Sequence, residues 1–508
     1  MSYYLIGIGG TGAKCMESFV HLCGAGLLKD SQPVKIVYVD ADISCGNLQR
    51  TQRTVDLYTK AQKIGYSDNG IFKNHIDVFE PWTPVPQGSS NLDDVFQKSV
   101  MENKDDYKAL GLLYNSLYTE QERKTPLDKG FRGHPAIGAA VMSYSMQEET
   151  GEPWISLKQQ INSDKDAKIF LFASVFGGTG AAGFPTIAKI LDKTLKKDDK
   201  KQSVAKIGGA LVLPYFQFPP APNTEEQEMQ AKVSEFMLNT RSALDYYNKS
   251  GLLGNIFKSI YLIGDNDLSQ MKEFSLGANT QKNAAHFIEI YAALAAFDFF
   301  NKNESDFEEE QATTPMIARG DDNNINVDKV EWEDLPNVCV SGNLKDRVSI
   351  YTKFLYAYKQ CIFKVLQECS EKENKKRDHS WYKDLVEKAG KIDVYNDRSV
   401  MSSFQALEDY AAAYFDWWRQ IIHENNNRRI ELLSNDIWSK VSWQDSSSDM
   451  HAIILPVQER NKKDRLTYKN FYQGLCTMSE RLKSTSASGS EILMDTVYKL
   501  CSDRGEDK

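Results

Sequence analysis

No two of the eight cysteines form a C-x-x-C pair, and their scatter excludes both a disulfide framework and a zinc knuckle. Basic residues are in deficit: 61 lysines and arginines against 70 aspartates and glutamates leave a formal charge of -9. A chain of that sign carries no global field to attract a phosphate backbone, so no nucleic-acid partner is expected. No apolar run reaches the length of a membrane span. The first residues run into an apolar stretch without a basic leader or a small-residue cleavage site, from which a cytoplasmic location is expected. Gly-Lys-Ser/Thr is missing from both glycine-rich turns described below, which argues against an ordinary P-loop. The sequence also has no internal repeat and no low-complexity tail.

What remains is a chain of 508 residues, 41% hydrophobic and 26% charged, which is ordinary for a folded protein and long enough for two or three domains. Short apolar runs alternate with helical patterns in the first part, as expected of a sheet with helices on its faces. Strands are expected at 3–8, 34–39, 168–175, 207–213 and 256–263. Helices are expected at 13–22, 185–195, 225–247 and 283–300, the last almost wholly apolar. The turn-rich stretch 66–129, the Lys/Asp run 196–201 and the acidic stretch 301–322 read as insertions or linkers. After Gly342 the pattern changes to amphipathic helices at 344–369 and 400–425, with 452–457 as the one convincing strand. The expected division is 1–300, 301–342 and 343–508.

Two glycine turns carry the chemistry. Gly7-Ile8-Gly9-Gly10-Thr11-Gly12 joins a strand to a helix, where glycine lets the backbone approach a phosphate and the first helical N–H groups point at its charge. Alone, it also fits the G-x-G-x-x-G fingerprint of a dinucleotide site. The second turn, Phe176-Gly177-Gly178-Thr179-Gly180-Ala181-Ala182-Gly183, is not part of that fingerprint. A turn used only for packing is the alternative.

This second turn resembles the signature G-G-T-G-[ST]-G of the tubulin/FtsZ superfamily. Three further segments follow the family's order: Val39-Asp40-Ala41-Asp42 after the second strand, then Gly130-Phe131-Arg132-Gly133-His134-Pro135-Ala136-Ile137-Gly138-Ala139-Ala140, and Pro214-Tyr215-Phe216-Gln217-Phe218 after a later strand. The resemblance covers about residues 3–300. It implies an α/β fold: a Rossmann-type GTPase domain with a central helix, followed here by a divergent, mostly helical C-terminal region. It implies GTP or GDP with Mg²⁺, held by Gly9, Gly10, Thr11, Asp40, Gly130, Arg132, Gly133, Gly177, Gly178, Thr179 and Gly180. No residue is assigned as a metal ligand. Arg132 is placed near phosphate, while His134 reads as a turn cap, not a base. Asn279 and Asn283, at the start of the central helix, are placed on the guanine edge, with a helix N-cap as the alternative for either.

In this family hydrolysis is completed by acids from a neighbouring subunit, and Asn326-Val327-Asp328-Lys329-Val330-Glu331 has the matching chemistry, with Asp328 and Glu331 as the catalytic candidates. An exposed strand is the competing reading of that segment. The departures are its late position, Phe176 for a glycine, Ala181 for a hydroxyl residue and a last glycine displaced by Ala182. The expected function is a GTP-binding, self-assembling GTPase. The alternative is a nucleotide-bound scaffold that does not hydrolyse and recruits partners through its C-terminal helices. A nicotinamide-dependent oxidoreductase would rest on Gly7, Gly9 and Gly12 alone.

Overall fold

The structure is a computed structural model. It describes residues 2–66, 70–127, 130–131, 133–146, 151–164, 166–195, 205–217, 233–251, 255–265, 268–270, 282–307, 329–424, 428–435, 442–445, 447–481 and 489–502. Arg132, Asn279 and Asp328 lie outside the described residues.

Six parallel strands form one sheet: β1 (Tyr3–Ile8), β2 (Val34–Val39), β3 (Ile76–Val78), β4 (Lys168–Ser174), β5 (Lys206–Val212) and β6 (Phe257–Ile263). Their order is β3-β2-β1-β4-β5-β6. Tyr3 stands opposite Val34 on one side and Lys168 on the other. Side chains alternate between two buried faces, Tyr3, Leu5, Phe170 and Phe172 on one, Tyr4, Ile6, Ile169 and Leu171 on the other. Both faces are buried, which is why these strands are continuously apolar instead of alternating with polar residues.

The helices in chain order are α1 (Gly9–Cys23), α2 (Gly46–Gly65), α3 (Pro135–Ser145), α4 (Trp154–Ser163), α5 (Gly178–Leu195), α6 (Val233–Lys249) and α7 (Phe287–Asn301). The C-terminal region adds α8 (Leu344–Ala357), α9 (Phe363–Glu371), α10 (Arg398–Glu424), α11 (Tyr468–Arg481) and α12 (Ser490–Cys501). A π turn at Tyr358–Ile362 joins α8 to α9. Helices α1, α2, α7 and the C-terminal helices share the core on the first face, and α3, α4 and α5 cover the second. Along α10, Trp417 donates its indole N–H to Ser18 Oγ of α1 (3.2 Å), and Tyr410 meets Tyr58 of α2 edge-on.

Helix α7 runs antiparallel to the strands. It starts beside the first turn of α1 and ends at the amino ends of β1 and β4, where Phe300 packs on Tyr3 with ring centroids 4.8 Å apart and Lys168 Nζ donates to the Phe300 carbonyl (2.7 Å). Halfway down, Phe297 stacks on Phe19 at 4.4 Å.

Two expectations need correction. The central helix begins at Phe287, not Asn283, because His286 is its N-cap: the ring Nδ1 accepts from the Ile288 N–H (3.2 Å), and Glu289 returns a carboxylate to the His286 N–H (3.1 Å). Residues 452–457 are no strand. Met450–Ile453 is a 3₁₀ turn, and Ile454 makes a single antiparallel bridge to Leu433. Of the helix expected at 225–247, residues 225–232 lie outside the described residues, and the rest is helical from Val233. Among the described residues no helix is long and apolar enough to cross a membrane.

Candidate functional site

In the order β3-β2-β1-β4-β5-β6 the connections reverse direction between β1 and β4, and crevices in open α/β sheets form outside the carboxyl ends of the strands at that reversal. Both glycine turns lie there. β1 passes directly into α1 at Gly9, and β4 reaches α5 through Val175, Phe176 and Gly177. Gly9 has φ +72°, a left-handed value that disfavours any Cβ, and a Cβ there would stand 3.3 Å from Thr179 Cβ and 3.4 Å from Gly180 N. The two turns therefore lie side by side. The Ile8 cap position of α1 makes no side-chain hydrogen bond, and the first-turn N–H groups of a helix have no partner within it, so α1 and α5 each present donors to this crevice.

At two other glycines the close approach is by protein. A Cβ on Gly178 would meet Phe131 Cβ at 2.7 Å, and one on Gly180 would meet the Ser174 carbonyl at 2.6 Å. Their missing side chains admit neighbouring protein. Phe131 is buried, so the segment from Gly130 (φ +78°) is seated on the start of α5 by this close approach. Gly10, Thr11, Gly133 and Gly177 are the partly exposed members of the set. His134 occupies the N-cap position of α3 but makes no side-chain capping bond.

Asp40, at the end of β2, is buried and accepts from Thr179 Oγ1 (3.4 Å) and the Asp42 N–H (3.2 Å). Burial pushes its carboxyl up to about 7; the Asp42 N–H bond opposes the shift, and the Asp42 charge adds to it. One turn into α1, Lys14 forms an ion pair with Glu289 of α7 (2.5 Å), both buried, and Tyr215 donates to the same carboxylate oxygen (2.9 Å). Burial, reinforced by Glu289, holds the Tyr215 hydroxyl far above its ordinary range.

Ser269 Oγ lies 2.8 Å from His286 Nε2, and Glu289 is close by, a composition that suggests a nucleophilic triad. The hydrogen bonds oppose it. His286 Nδ1 accepts from Ile288, so Nε2 carries the proton and donates to Ser269, and the ring cannot take the serine proton. Burial and Lys14 also keep this imidazole neutral, well below its ordinary pKa. Among the described residues no group of three or more His, Cys, Asp or Glu side chains could hold a metal ion.

Asn283 sits four residues before α7, half-buried. Its N–H donates to Asn47 Oδ1 (2.8 Å) and its carbonyl accepts from Arg50 Nη1 (2.6 Å). Asn47 in turn lies against the first turn: a Cβ on Gly10 would be 3.5 Å from its Nδ2. The sequence reading missed Asn47 and Arg50, and nothing in their local pattern distinguishes them from ordinary helix residues.

Glu331 caps the 3₁₀ turn Trp332–Asp334 and pairs with Lys329 (2.8 Å). Lys329–Val330 do form a strand, paired with Arg429–Ile430. The adjoining Arg428 binds Asp265, just beyond the carboxyl end of β6, through Nε (2.7 Å) and Nη2 (2.6 Å), and Gln420 at the end of α10 accepts from the Ala285 N–H (3.0 Å). These contacts put Glu331 at the same end of the sheet as the glycine turns. Among the described residues, acids at the opposite, amino end of the sheet include Asp30, which accepts from the Tyr3 hydroxyl (3.0 Å), Glu304, which pairs with Lys206, and Asp306, which caps the Asn303 N–H (2.6 Å).

No family model matches the chain, and no curated protein matches it. Among solved structures it is similar to CetZ from Methanosaeta thermophila strain DSM 6194, with 13% identity over 63% of this chain and 56% of that one, at a TM-score of 0.29. It is also similar to CetZ2 from Haloferax volcanii, in a GTPγS-bound protofilament, with 15% identity over 61% of this chain and 62% of that one, at a TM-score of 0.30. For an empty FtsZ dimer of M. jannaschii the identity is 15% over 52% of this chain and 45% of that one, at a TM-score of 0.22. The chain thus spans less than two thirds of these structures' lengths, and at such scores the likenesses carry no argument about family or function.

Proposed function

We propose that this chain binds a guanine nucleotide with its phosphates in the crevice between the starts of α1 and α5. The observation that carries the reading is the meeting of two strand-to-helix glycine turns, at Gly9 and at Thr179–Gly180, where the strand order reverses. Gly10, Thr11, Gly177 and Gly133 line the accessible side, and Asp40 supports Thr179 from beneath. The tubulin/FtsZ-like motifs supply the choice of guanine, the Mg²⁺ that would accompany the phosphates, and the further step of head-to-tail self-association. In such an assembly Glu304 and Asp306 are among the acids that a neighbour would bring to the phosphates, and the described helices after Gly342 are available to partners.

The test is equilibrium binding of GTP and GDP by the parent and by Gly10→Asp. A Cβ at Gly10 meets only ordinary contacts, and an acid in the first turn favours the helix by roughly 0.3–1 kcal/mol, so the fold should keep its Tm. The same carboxylate repels phosphate, and affinity should fall at least about tenfold. Equal affinity in the two proteins, or no nucleotide bound by the parent, would overturn the reading.

A further inference from the structure

We infer that Asn47 and Arg50 are positioning residues for base selectivity, acting through the main chain of Asn283. This rests on the guanine-nucleotide reading given above. Asn283 belongs to the segment 282–286 that enters α7, and both of its polar main-chain groups are taken by side chains of one helix, α2: the N–H by Asn47 and the carbonyl by Arg50. Asn47 is almost fully buried, at 1% exposure. Arg50 is itself immobilised, because Glu17 of α1 accepts from Nε through both oxygens (3.0 and 2.8 Å) and pairs with Nη2 (2.7 Å), while Thr54 donates to the same carboxylate (3.2 Å). Nε alone donates to the Glu17 carboxylate, with Nη2 at ion-pair distance, and Nη1 donates to the Asn283 carbonyl, so the guanidinium is tied at both ends.

The consequence is geometric. Asn47 holds the Asn283 N–H and lies beside the first glycine turn, where a Cβ on Gly10 would be 3.5 Å from its Nδ2, so one buried side chain stands between the phosphate turn and Asn283. The Asn283 side chain makes no hydrogen bond among the described residues and is half-buried. A carboxamide can donate and accept on a base edge, and selectivity depends on holding it within a fraction of an ångström of that edge. The clasp sets how the base is read; the helix starts hold the phosphates.

The experiment measures affinities for GTP, ATP and inorganic tripolyphosphate in the parent, Asn47→Ala, Arg50→Lys, Asn283→Ala and the Asn47→Ala/Asn283→Ala double variant. Asn47→Ala and Arg50→Lys should each lower the GTP-over-ATP ratio about tenfold while tripolyphosphate affinity stays within about twofold. In the double variant Asn47→Ala should change the ratio no further, because its effect passes through Asn283. An unchanged ratio in Asn47→Ala, with only Tm lowered, would reduce the clasp to a structural tie and overturn the inference alone. A parent that binds neither nucleotide overturns this inference together with the reading beneath it.

Discussion

His21, near the end of α1, has no exposed surface and lies among three rings of α10: Trp417 at 4.9 Å, Tyr410 at 5.7 Å and Tyr414 at 5.7 Å between centroids. Neither ring nitrogen has a hydrogen-bond partner among the described residues. Burial pulls its pKa down to about 4; Glu17 and Asp416 oppose the shift, and Arg50 adds to it. In the unfolded chain the group titrates near 6.5. Between those values the unfolded state binds more protons, so stability falls as pH falls, by about 1.4 kcal/mol per pH unit and about 3 kcal/mol in all. Above pH 6.5 the group contributes no slope. His21→Phe keeps a ring of similar size in an aromatic box and removes the titration. Urea unfolding at pH 7.5 and pH 5.0 should therefore show the parent losing about 2 kcal/mol more than the variant. At pH 7.5 the variant should be no less stable, since an unpartnered buried imidazole is itself costly. Equal losses in the two proteins would refute the argument and mean that α10 opens away from α1, or that solvent reaches the ring.

Asp40→Asn should stabilise the protein without nucleotide. The raised carboxyl is destabilising wherever it must ionise, so the gain in Tm should grow from about pH 4 to pH 7 and then level off; a flat difference would contradict the burial of that group. Glu304→Ala with Asp306→Ala should leave GTP affinity intact and remove any turnover that rises with protein concentration, read as phosphate release across a dilution series. Undiminished turnover would take these acids out of the shared site. Phe131→Ala empties the space beside Gly178, and unfolding should show a cost of about 3–5 kcal/mol together with weaker GTP binding. A stable variant with parental affinity would mean that the segment is not held by this contact.

β1 and β2 have the bounds read from the sequence because buried parallel strands are short, uninterrupted apolar runs ended by glycine, aspartate or polar residues. The crevice was legible too, since a glycine turn at each helix start is a local signal. The start of α7 was not: Asn283 looks like a helix-opening asparagine, but His286 and Glu289 close a capping box three residues later, and the histidine side chain that does so is an unusual cap. Residues 452–457 have strand composition but, among the described residues, only one bridging neighbour, Leu433, and pairing is decided by a partner that no local pattern contains. The clasp on Asn283 was invisible for the same reason. Asn47 and Arg50 act on a main chain more than 230 positions away, and a main-chain group has no sequence signature.

The ion pair of Lys14 and Glu289 has a consequence for how this protein can change over time. Each partner is buried and satisfies the other, so losing either one strands a charge in the core at a cost of about 3–5 kcal/mol, while replacing both by apolar groups of similar volume can be neutral. Because they lie on opposite sides of the contact between α1 and α7, the two positions can be altered only together. Related chains should carry either both charges or neither, and a chimera that takes α1 from one kind and α7 from the other should fail to fold even when each half is sound in its own parent.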